Sequence, residues 1–291
     1  MIGLFKRKWK FFCWLLLAGF FGGVLAAWIF GGVYSAAANH PVALPKNFPV
    51  ESVTFPSKSG ATISGWLVAG TTNKGVVILQ HGVHSDKSSL VERAKLFSSA
   101  GYTVLMFDFQ AHGESKGNVI TFGFLESRDS QAAVEFVKSR FPGRPIGVVG
   151  ESLGAAAAAL AKPPLAVQAL VLEIMYPTIE DATKDRIEMR LGWPARFFSY
   201  LLTTQIPFRA GCEVNDLRPL DAVAKITAPK LFLAGTLDRE TKIGEARKIF
   251  ENAAEPKMFV AFDGAHHQDL FTFAPDFYKT NVLNFLNQNL K

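Results

Sequence analysis

The chain has 291 residues, 49% of them hydrophobic and 19% charged, which excludes an intrinsically disordered chain, a collagen and a coiled coil. Its two cysteines, Cys13 and Cys212, are too few for a disulfide framework or a cysteine-based structural zinc site, so the fold must depend on a hydrophobic core. The formal net charge is +6, but four of the 31 Lys and Arg lie within residues 1–10, and the other 27 nearly balance 25 Asp and Glu. This distribution does not predict nucleic-acid binding.

Residues 11–38 are uncharged and predict a membrane-spanning helix, because about 20 helical residues cross a hydrocarbon core of about 30 Å. The basic residues 1–10 precede this stretch. The positive-inside rule therefore predicts a single-pass protein with a cytoplasmic N-terminus and the rest of the chain on the periplasmic or extracellular side. Residues 36–38 also resemble a signal-peptidase site. A cleaved signal peptide usually has an apolar region of only about 7–15 residues, so the length favours an uncleaved signal anchor.

Small residues recur at four-residue spacing in the apolar stretch, at Gly19, Gly23, Ala27 and Gly31. On a helix they share one face, where two copies of the chain could approach closely and self-associate. The alternative is that these residues reflect only the general abundance of glycine in membrane helices.

Residues 39–49, which include Pro41 and Pro45, are predicted to be a linker, and residues 50–291 to be one domain. In that domain, short apolar runs alternate with stretches of helical period, which is typical of an α/β fold with a mostly parallel sheet flanked by helices. Eight strands are predicted, at residues 52–55, 63–68, 76–79, 103–107, 146–149, 170–172, 231–234 and 258–262. Helices are predicted at residues 88–99, 127–139, 153–161, 241–252 and 276–289.

The interval between the predicted strands at residues 170–172 and 231–234 is too long for a plain crossover and predicts a cap at about residues 174–228. Residues 191–202 of the cap are rich in aromatic and aliphatic side chains. They either pack the cap onto the domain, as such stripes usually do, or form an acyl-chain wall or a surface that meets lipid. Four arginines of this region could instead hold the charged end of a peptide: Arg186, Arg190, Arg196 and Arg209.

A G-x-S-x-G pattern, with Ser152 at its centre, stands directly between a predicted strand and the predicted helix at residues 153–161. A serine on such a tight turn projects its hydroxyl above the sheet, and its strained backbone requires small neighbours on both sides. The pattern is weak by itself, and its position between strand and helix is what favours a nucleophile over a serine that only caps the helix.

A serine nucleophile needs a general base that is oriented by a carboxylate. Two histidines follow Ser152 in the chain, His266 and His267, in a loop after the last predicted strand. Asp238 lies between serine and histidines, just past the predicted strand at residues 231–234. Because parallel strands end at one edge of the sheet, these side chains should meet there, in the chain order serine, acid, histidine.

An acyl-transfer site also needs backbone N–H groups that bind the oxyanion of the tetrahedral intermediate. The amide of Leu153, directly after the nucleophile, is the first predicted donor. The second is expected in the loop at residues 80–84, after the predicted strand at residues 76–79, and we assign it to Val83.

At these residues the chain resembles the α/β-hydrolase family, and within it a serine-hydrolase and peptidase-like group with an H-G oxyanion loop. The resemblance covers about residues 50–290. It rests on the elbow around Ser152 and on four further segments, QHG at residues 80–82, DFQAHGES at 108–115, LAGTLD at 233–238 and HHQDL at 266–270. Gln110 and Ala111 stand where the family often has Arg-Gly, and His266 where it often has glycine, so the alignment makes His267 the base.

The resemblance implies an α/β-hydrolase fold with a helical cap, and a reaction in which an acyl group passes from Ser152 to water with the help of His267 and Asp238. A serine nucleophile separates the chain from the dehalogenase and epoxide-hydrolase branches, which use aspartate. No cofactor is implied, and the H-G loop accounts for His81 without a metal site. Such a site would otherwise be suggested by His81, His84, Asp86 and His112.

The sequence therefore predicts a membrane-anchored serine hydrolase that cleaves an ester, thioester or amide. A carboxylic ester of a small molecule or lipid ranks first and a peptide second as the acyl substrate. A non-catalytic, membrane-anchored binding protein of the same fold is the alternative from a different functional class.

Overall fold

The computed structural model describes residues 2–72, 74–192 and 195–291. Within these residues it contains ten β-strands: β1 Ala38–Asn39, β2 Glu51–Pro56, β3 Thr62–Val68, β4 Val76–Gln80, β5 Thr103–Phe107, β6 His112–Gly113, β7 Ile146–Glu151, β8 Ala169–Glu173, β9 Lys230–Gly235 and β10 Lys257–Phe262. The same residues form eleven α-helices: α1 Ile2–Tyr34, α2 Val91–Ser99, α3 Phe124–Arg140, α4 Leu153–Leu160, α5 Ile179–Leu191, α6 Ala195–Thr203, α7 Ile206–Ala210, α8 Pro219–Ala222, α9 Ile243–Asn252, α10 Leu270–Phe273 and α11 Pro275–Asn289. Short 3-10 helices lie at Lys87–Leu90, Val214–Asp216 and Val223–Lys225.

Eight of the strands form one sheet in the order β10-β9-β8-β7-β4-β5-β3-β2. Strand β3 pairs antiparallel with both β2 and β5, and the other neighbouring pairs are parallel. The predicted α/β fold with a mostly parallel eight-stranded sheet is confirmed. The sequence analysis did not predict the two-residue strands β1 and β6, which pair with each other outside this sheet.

The sheet is buried on both faces, as its continuous apolar runs predict. In β4, Val76 and Ile78 pack with α3 and α4 on one face, whereas Val77 and Leu79 pack with α2 on the other. The small side chains of α4 let this helix lie close to the sheet. One residue, Ser152, separates the end of β7 from the first residue of α4, Leu153.

Helix α1 runs from Ile2 to Tyr34. It therefore begins before the predicted apolar stretch at residues 11–38 and ends before that stretch does. Its portion Lys8–Tyr34 is long and apolar enough to cross a membrane, and most of its large side chains are exposed. The helix ends where the chain begins to form hydrogen bonds with the domain at residues 50–291. Ala38 N donates to Ala111 O at 2.7 Å, and Ile120 N donates to Ser35 O at 2.8 Å. The predicted linker at residues 39–49 thus begins inside strand β1.

The cap predicted between β8 and β9 contains the helices α5, α6, α7 and α8; Trp193 and Pro194, within its apolar segment, lie outside the described residues. Helix α6 packs along α1, with the Phe20 and Phe197 ring centroids 6.2 Å apart. A Cβ added at Gly23 would lie 3.7 Å from the Phe198 ring, whereas one at Gly19 would meet no atom within 4 Å.

The two C-terminal positions of the small-residue stripe, Ala27 and Gly31, also face the cap. Ala27 is buried, and a Cβ at Gly31 would collide with the Gln205 side chain. Three of the four stripe positions therefore contact the cap rather than open space. Self-association through the stripe stays a prediction.

Candidate active site

Ser152 occupies a strained turn between β7 and α4. Its φ of 50° and ψ of −106° lie in a region that side-chain-bearing residues rarely adopt. The two glycines of the pattern are required by close contacts. A Cβ at Gly150 would lie 2.6 Å from Ala155 N, and one at Gly154 would lie 2.5 Å from Gln80 O. The pattern at residues 150–154 therefore has the packing that a nucleophile elbow needs.

The structure brings Ser152, His267 and Asp238 together at the carboxyl edge of the sheet. His267 Nδ1 lies 2.8 Å from Asp238 Oδ2, and His267 Nε2 lies 3.3 Å from Ser152 Oγ. With Nδ1–H donating to the carboxylate, Nε2 is the acceptor that faces the serine hydroxyl. The other carboxylate oxygen, Asp238 Oδ1, accepts from Glu240 N at 2.8 Å and Thr241 N at 2.9 Å, which fixes the orientation of the acid.

The tertiary structure also separates the two neighbouring histidines. His266 is exposed, and its side chain makes no hydrogen bond within the described part of the chain. The histidine loop is held against the loop that follows β9 and carries Asp238, because Leu237 N donates to Ala265 O at 2.9 Å. His267 is therefore the histidine that reaches the serine.

The two predicted oxyanion donors lie beside Ser152, since Val83 and Leu153 line the same cavity. Within the described residues, neither backbone N–H donates to a protein acceptor. Unpaired N–H groups next to a nucleophile can bind a developing oxyanion. The loop runs close to the elbow, because a Cβ built at Gly82 would be in van der Waals contact with Ser152 Cβ, at 3.9 Å.

His81 shapes the loop that carries Val83. Burial, together with the neighbouring His112, lowers the pKa of His81 to about 3, so its ring is neutral. Its Nδ1–H donates to Gly82 O at 2.7 Å, and its Nε2 accepts from Phe109 N at 3.2 Å. The ring thus ties the loop after β4 to the loop after β5.

Ser152 lies at a narrow cavity with a volume of about 80 Å³. Its lining is mainly apolar and comes from the domain, the cap and the end of α1. Six of the apolar lining residues are Phe30, Ile120, Phe122, Ile179, Ile187 and Leu202. The sequence analysis did not predict that α1 contributes to this site.

Three of the four cap arginines line the cavity, namely Arg186, Arg190 and Arg209, whereas Arg196 is exposed at the start of α6. Arg186 pairs with Glu240 at 3.0 Å, and the Arg209 guanidinium lies 4.3 Å above the Trp28 ring. No Asp or Glu belongs to the described cavity lining.

A buried arginine that the sequence analysis missed connects the elbow to the histidine loop. Arg93 Nη2, on α2, lies 2.9 Å from Glu151, 3.1 Å from Glu173 and 2.8 Å from Asp269. Glu151 precedes the nucleophile, Asp269 follows the base by two residues, and the Glu173 carbonyl accepts from Ser152 N at 2.9 Å. No local pattern signals such a residue, because its partners come from three distant segments.

The electrostatics of this cluster reflect a competition between burial and charge. Burial raises the pKa of Glu173 to about 7, although Arg93 favours the ionised form. Burial also acts to raise the pKa of Asp269, but the Arg93 charge and several hydrogen bonds outweigh it and leave that pKa below its usual value. Asp269 is therefore an ionised partner of Arg93, and it joins Arg93 to the histidine loop.

The chain is similar to several known proteins in sequence and in fold. Residues 71–206 match a family model described as serine aminopeptidase, S33. The uncharacterized protein YqkD of Bacillus subtilis (strain 168) is 28% identical over 244 residues, covering 80% of this chain and 78% of YqkD. The alpha/beta hydrolase domain-containing protein WAV2 of Arabidopsis thaliana is 28% identical over 192 residues, covering 64% of this chain and 60% of WAV2.

Among solved structures, the esterase Pf2001 of Pyrococcus furiosus superimposes with a TM-score of 0.74 at 23% identity, covering 89% of this chain and 100% of the esterase. A likeness at this identity supports the fold, while the family model and the relatives support a hydrolase. Together they show that the chain has an α/β-hydrolase fold and is similar in sequence to α/β-hydrolases.

Proposed function

We propose that the protein is a membrane-anchored serine hydrolase that cleaves a carboxylic ester through an acyl-enzyme. The observation that carries the proposal is the hydrogen-bonded series from Ser152 through His267 to Asp238 at a mainly apolar cavity. The hydrolase fold alone would not support this proposal, because one fold can host many functions.

In the proposed reaction, Ser152 Oγ attacks the ester carbonyl while its proton passes to His267 Nε2. The Val83 and Leu153 amides bind the negative charge that develops on the carbonyl oxygen. The intermediate collapses, the carbon–oxygen bond to the alcohol breaks, and His267 returns its proton to the departing alcohol. Water then attacks the acyl-enzyme by the same route, releases the acid and regenerates Ser152.

The cavity lining favours a lipid-like or otherwise acylated substrate. Apolar side chains from α1, the cap and the domain line the space next to Ser152, where an acyl chain would be shielded from water. A thioester or amide of the same acyl group would fit the same chemistry.

A peptidase is the second candidate, because the matching family model is described as a serine aminopeptidase. An aminopeptidase must hold the positively charged amino terminus of its substrate, for which carboxylates are the natural partners. The described lining of the cavity contains three arginines and no Asp or Glu, so its charge favours the ester over a free amino terminus.

The membrane anchor is part of the proposal. It is supported by the length and apolarity of Lys8–Tyr34 and by the exposure of its large side chains. The hydrogen bonds of Ser35 and Ala38 to the domain support an uncleaved helix, because cleavage near residues 36–38 would remove or free chain that the domain holds.

The test uses the full-length protein in detergent, a fluorophosphonate probe, and the variants Ser152→Ala and Ser99→Ala. Ser99 is exposed at the end of α2 and serves as the matched control. We expect Ser152→Ala to lose labelling and to lower ester hydrolysis by on the order of 10⁴-fold or more, while Ser99→Ala behaves as wild type. A folded wild-type protein that neither reacts with the probe nor hydrolyses esters would indicate a binding protein, and a preference for aminoacyl amides would indicate a peptidase.

A further inference from the structure

The end of α1 is a wall of the cavity that contains Ser152. Phe30, Gly31, Tyr34 and Ser35 line this cavity together with the nucleophile. The Tyr34 ring stacks on the lining residue Phe122, with centroids 5.7 Å apart and planes 13° apart, and on Phe30 at 6.0 Å. An anchor that only tethered the domain would not need to enter the site.

The cap holds α1 in place by contacts to its backbone. Gln205 Nε2 donates to Ala27 O at 3.0 Å, and the Arg209 guanidinium donates to Trp28 O while it lies over the Trp28 ring. The absence of a side chain at Gly31 leaves the space that Gln205 occupies. The wall formed by α1 is thus fixed relative to the cap.

The domain holds α1 from the other side, next to the oxyanion loop. His84 follows Val83 directly, and its Nε2–H donates to Tyr34 O at 2.9 Å. The Tyr34 and His84 rings also meet edge to face at 5.1 Å. The last turn of α1 is therefore attached to the loop that presents the Val83 amide.

The position of α1 in a bilayer follows from its length. A span of about 20 residues that begins at Phe11 ends near Phe30, so Phe30 and Tyr34 lie at the headgroup level on the domain side. At a rise of 1.5 Å per residue, the contact of Phe198 with Gly23 then lies about 10 Å below Phe30, and the contact of Phe197 with Phe20 lies about 15 Å below it, near the bilayer centre.

The outer face of the cap suits such a location. Phe197 is 46% exposed, Tyr200 67% and Phe208 81%, and all three lie on the helices that contact α1. Arg196 is the one charged residue of α6, and a long arginine side chain can turn its charge toward headgroups or water. Exposed aromatic side chains beside a membrane helix are typical of a surface that enters the interface.

From this placement we infer that α1 and the cap together form an acyl-chain site that opens into the bilayer. The substrate class is a membrane-resident ester. Its carbonyl lies at headgroup level next to Ser152, and its chain runs down between Phe30 on α1 and Leu202 on α6. The inference rests on the proposed serine-hydrolase function and adds that α1 sets which acyl chains the site accepts.

The test compares full-length wild type with Phe30→Ala, Phe30→Trp and the control Val33→Ala in phosphatidylcholine vesicles. Val33 is 70% exposed on α1 and does not line the cavity. The substrates are p-nitrophenyl butyrate and p-nitrophenyl palmitate. We expect Phe30→Ala to lower kcat/KM for palmitate about tenfold and that for butyrate less than twofold, because only the long chain reaches residue 30. Phe30→Trp should shift the optimum toward shorter chains, and Val33→Ala should resemble wild type.

Fluorophosphonate labelling and butyrate hydrolysis report on the proposed function separately. If both stay intact in Phe30→Ala and Phe30→Trp and the chain-length profile does not change, the acyl-chain site is wrong although the hydrolase stands. If wild type itself shows neither activity, the proposed function has failed.

A second experiment tests whether the substrate enters the site from the bilayer. Palmitate ester supplied in the enzyme's own vesicles should be hydrolysed at least tenfold faster than the same ester in separate vesicles. Equal rates would place the entry on the aqueous side and overturn the bilayer route.

Discussion

Ser152 has a positive φ, and the two glycines beside it have backbone rather than flexible side chains as their nearest neighbours. Backbone atoms cannot move aside without disturbing β4 or α4, so a methyl group at position 150 or 154 forces the turn itself to shift. The strain at Ser152 persists because the surrounding sheet and helix hold it, which is common at active sites.

We therefore predict that Gly154→Ala destabilises the protein and abolishes fluorophosphonate labelling, because its Cβ would lie 2.5 Å from Gln80 O. Overpacking of this kind typically costs about 1–3 kcal/mol. Gly244→Ala on α9 is the control, since a Cβ there meets no atom within 4 Å and alanine favours a helix by up to about 1 kcal/mol. Thermal unfolding and labelling rate measure both effects. Labelling of Gly154→Ala at the wild-type rate would contradict the prediction.

The residues of the candidate site differ in how far local sequence could identify them. Ser152 has a pattern around it, and Asp238 and His267 follow strands whose ends meet at one edge. His266 and His267 have the same side chain, so only the resemblance to the family distinguished His267 as the base. Arg93 has no local signature, because only packing brings its carboxylate partners together.

At the scale of elements, Arg93 joins α2 to the end of β7, the end of β8 and the loop before α10. It is almost fully buried, and three carboxylates lie within 3.1 Å of one of its nitrogens. Removing one partner from a buried ion cluster leaves uncompensated charge, which typically costs about 3–5 kcal/mol. The cluster links the segment before the nucleophile to the loop of the base, so we expect its loss to lower stability and to shift the one relative to the other.

For Arg93→Met we predict a lower melting temperature and, in the protein that remains folded, a fall in kcat of about tenfold or more with a smaller change in KM. Arg93→Lys should recover part of kcat, because it restores the charge but not the geometry of the guanidinium. Lys95→Met on the same helix is the control, as Lys95 forms a surface pair with Glu92 at 2.7 Å, lies 5.7 Å from the Phe48 ring centroid and does not belong to the Arg93 cluster. A purely structural role would lower stability while leaving the kcat of the folded fraction unchanged.

At the scale of the whole molecule, the proposed orientation places the two ends of α1 on opposite sides of a membrane. The basic residues at positions 6–10 lie in the first turns of α1, ahead of its apolar stretch, and the hydrolase domain follows the helix. The two native cysteines do not prevent a test in which introduced cysteines are labelled with a maleimide. Cys13 lies in α1, and burial raises the pKa of the Cys212 thiol to about 12, so that this thiol is unreactive.

We predict that a membrane-impermeant maleimide labels Lys58→Cys in intact cells, because Lys58 is an exposed residue of the domain. Lys10→Cys, on the other side of the span, should be labelled only after the membrane is permeabilised. Unmodified protein serves as the background control. Labelling of Lys58→Cys only after permeabilisation would reverse the proposed topology.

The sequence by itself determined the sheet, its order of alternation with helices, the long apolar helix and the pattern around Ser152. Each of these depends on neighbours in the chain, such as the spacing of apolar residues or a glycine two positions away. Only the tertiary structure decided that His267 faces Ser152, that Arg93 joins the elbow to the histidine loop, and that α1 lines the cavity. These arrangements depend on packing between residues far apart in the chain, such as Ser152 and His267, which are 115 positions apart, and no local pattern encodes them.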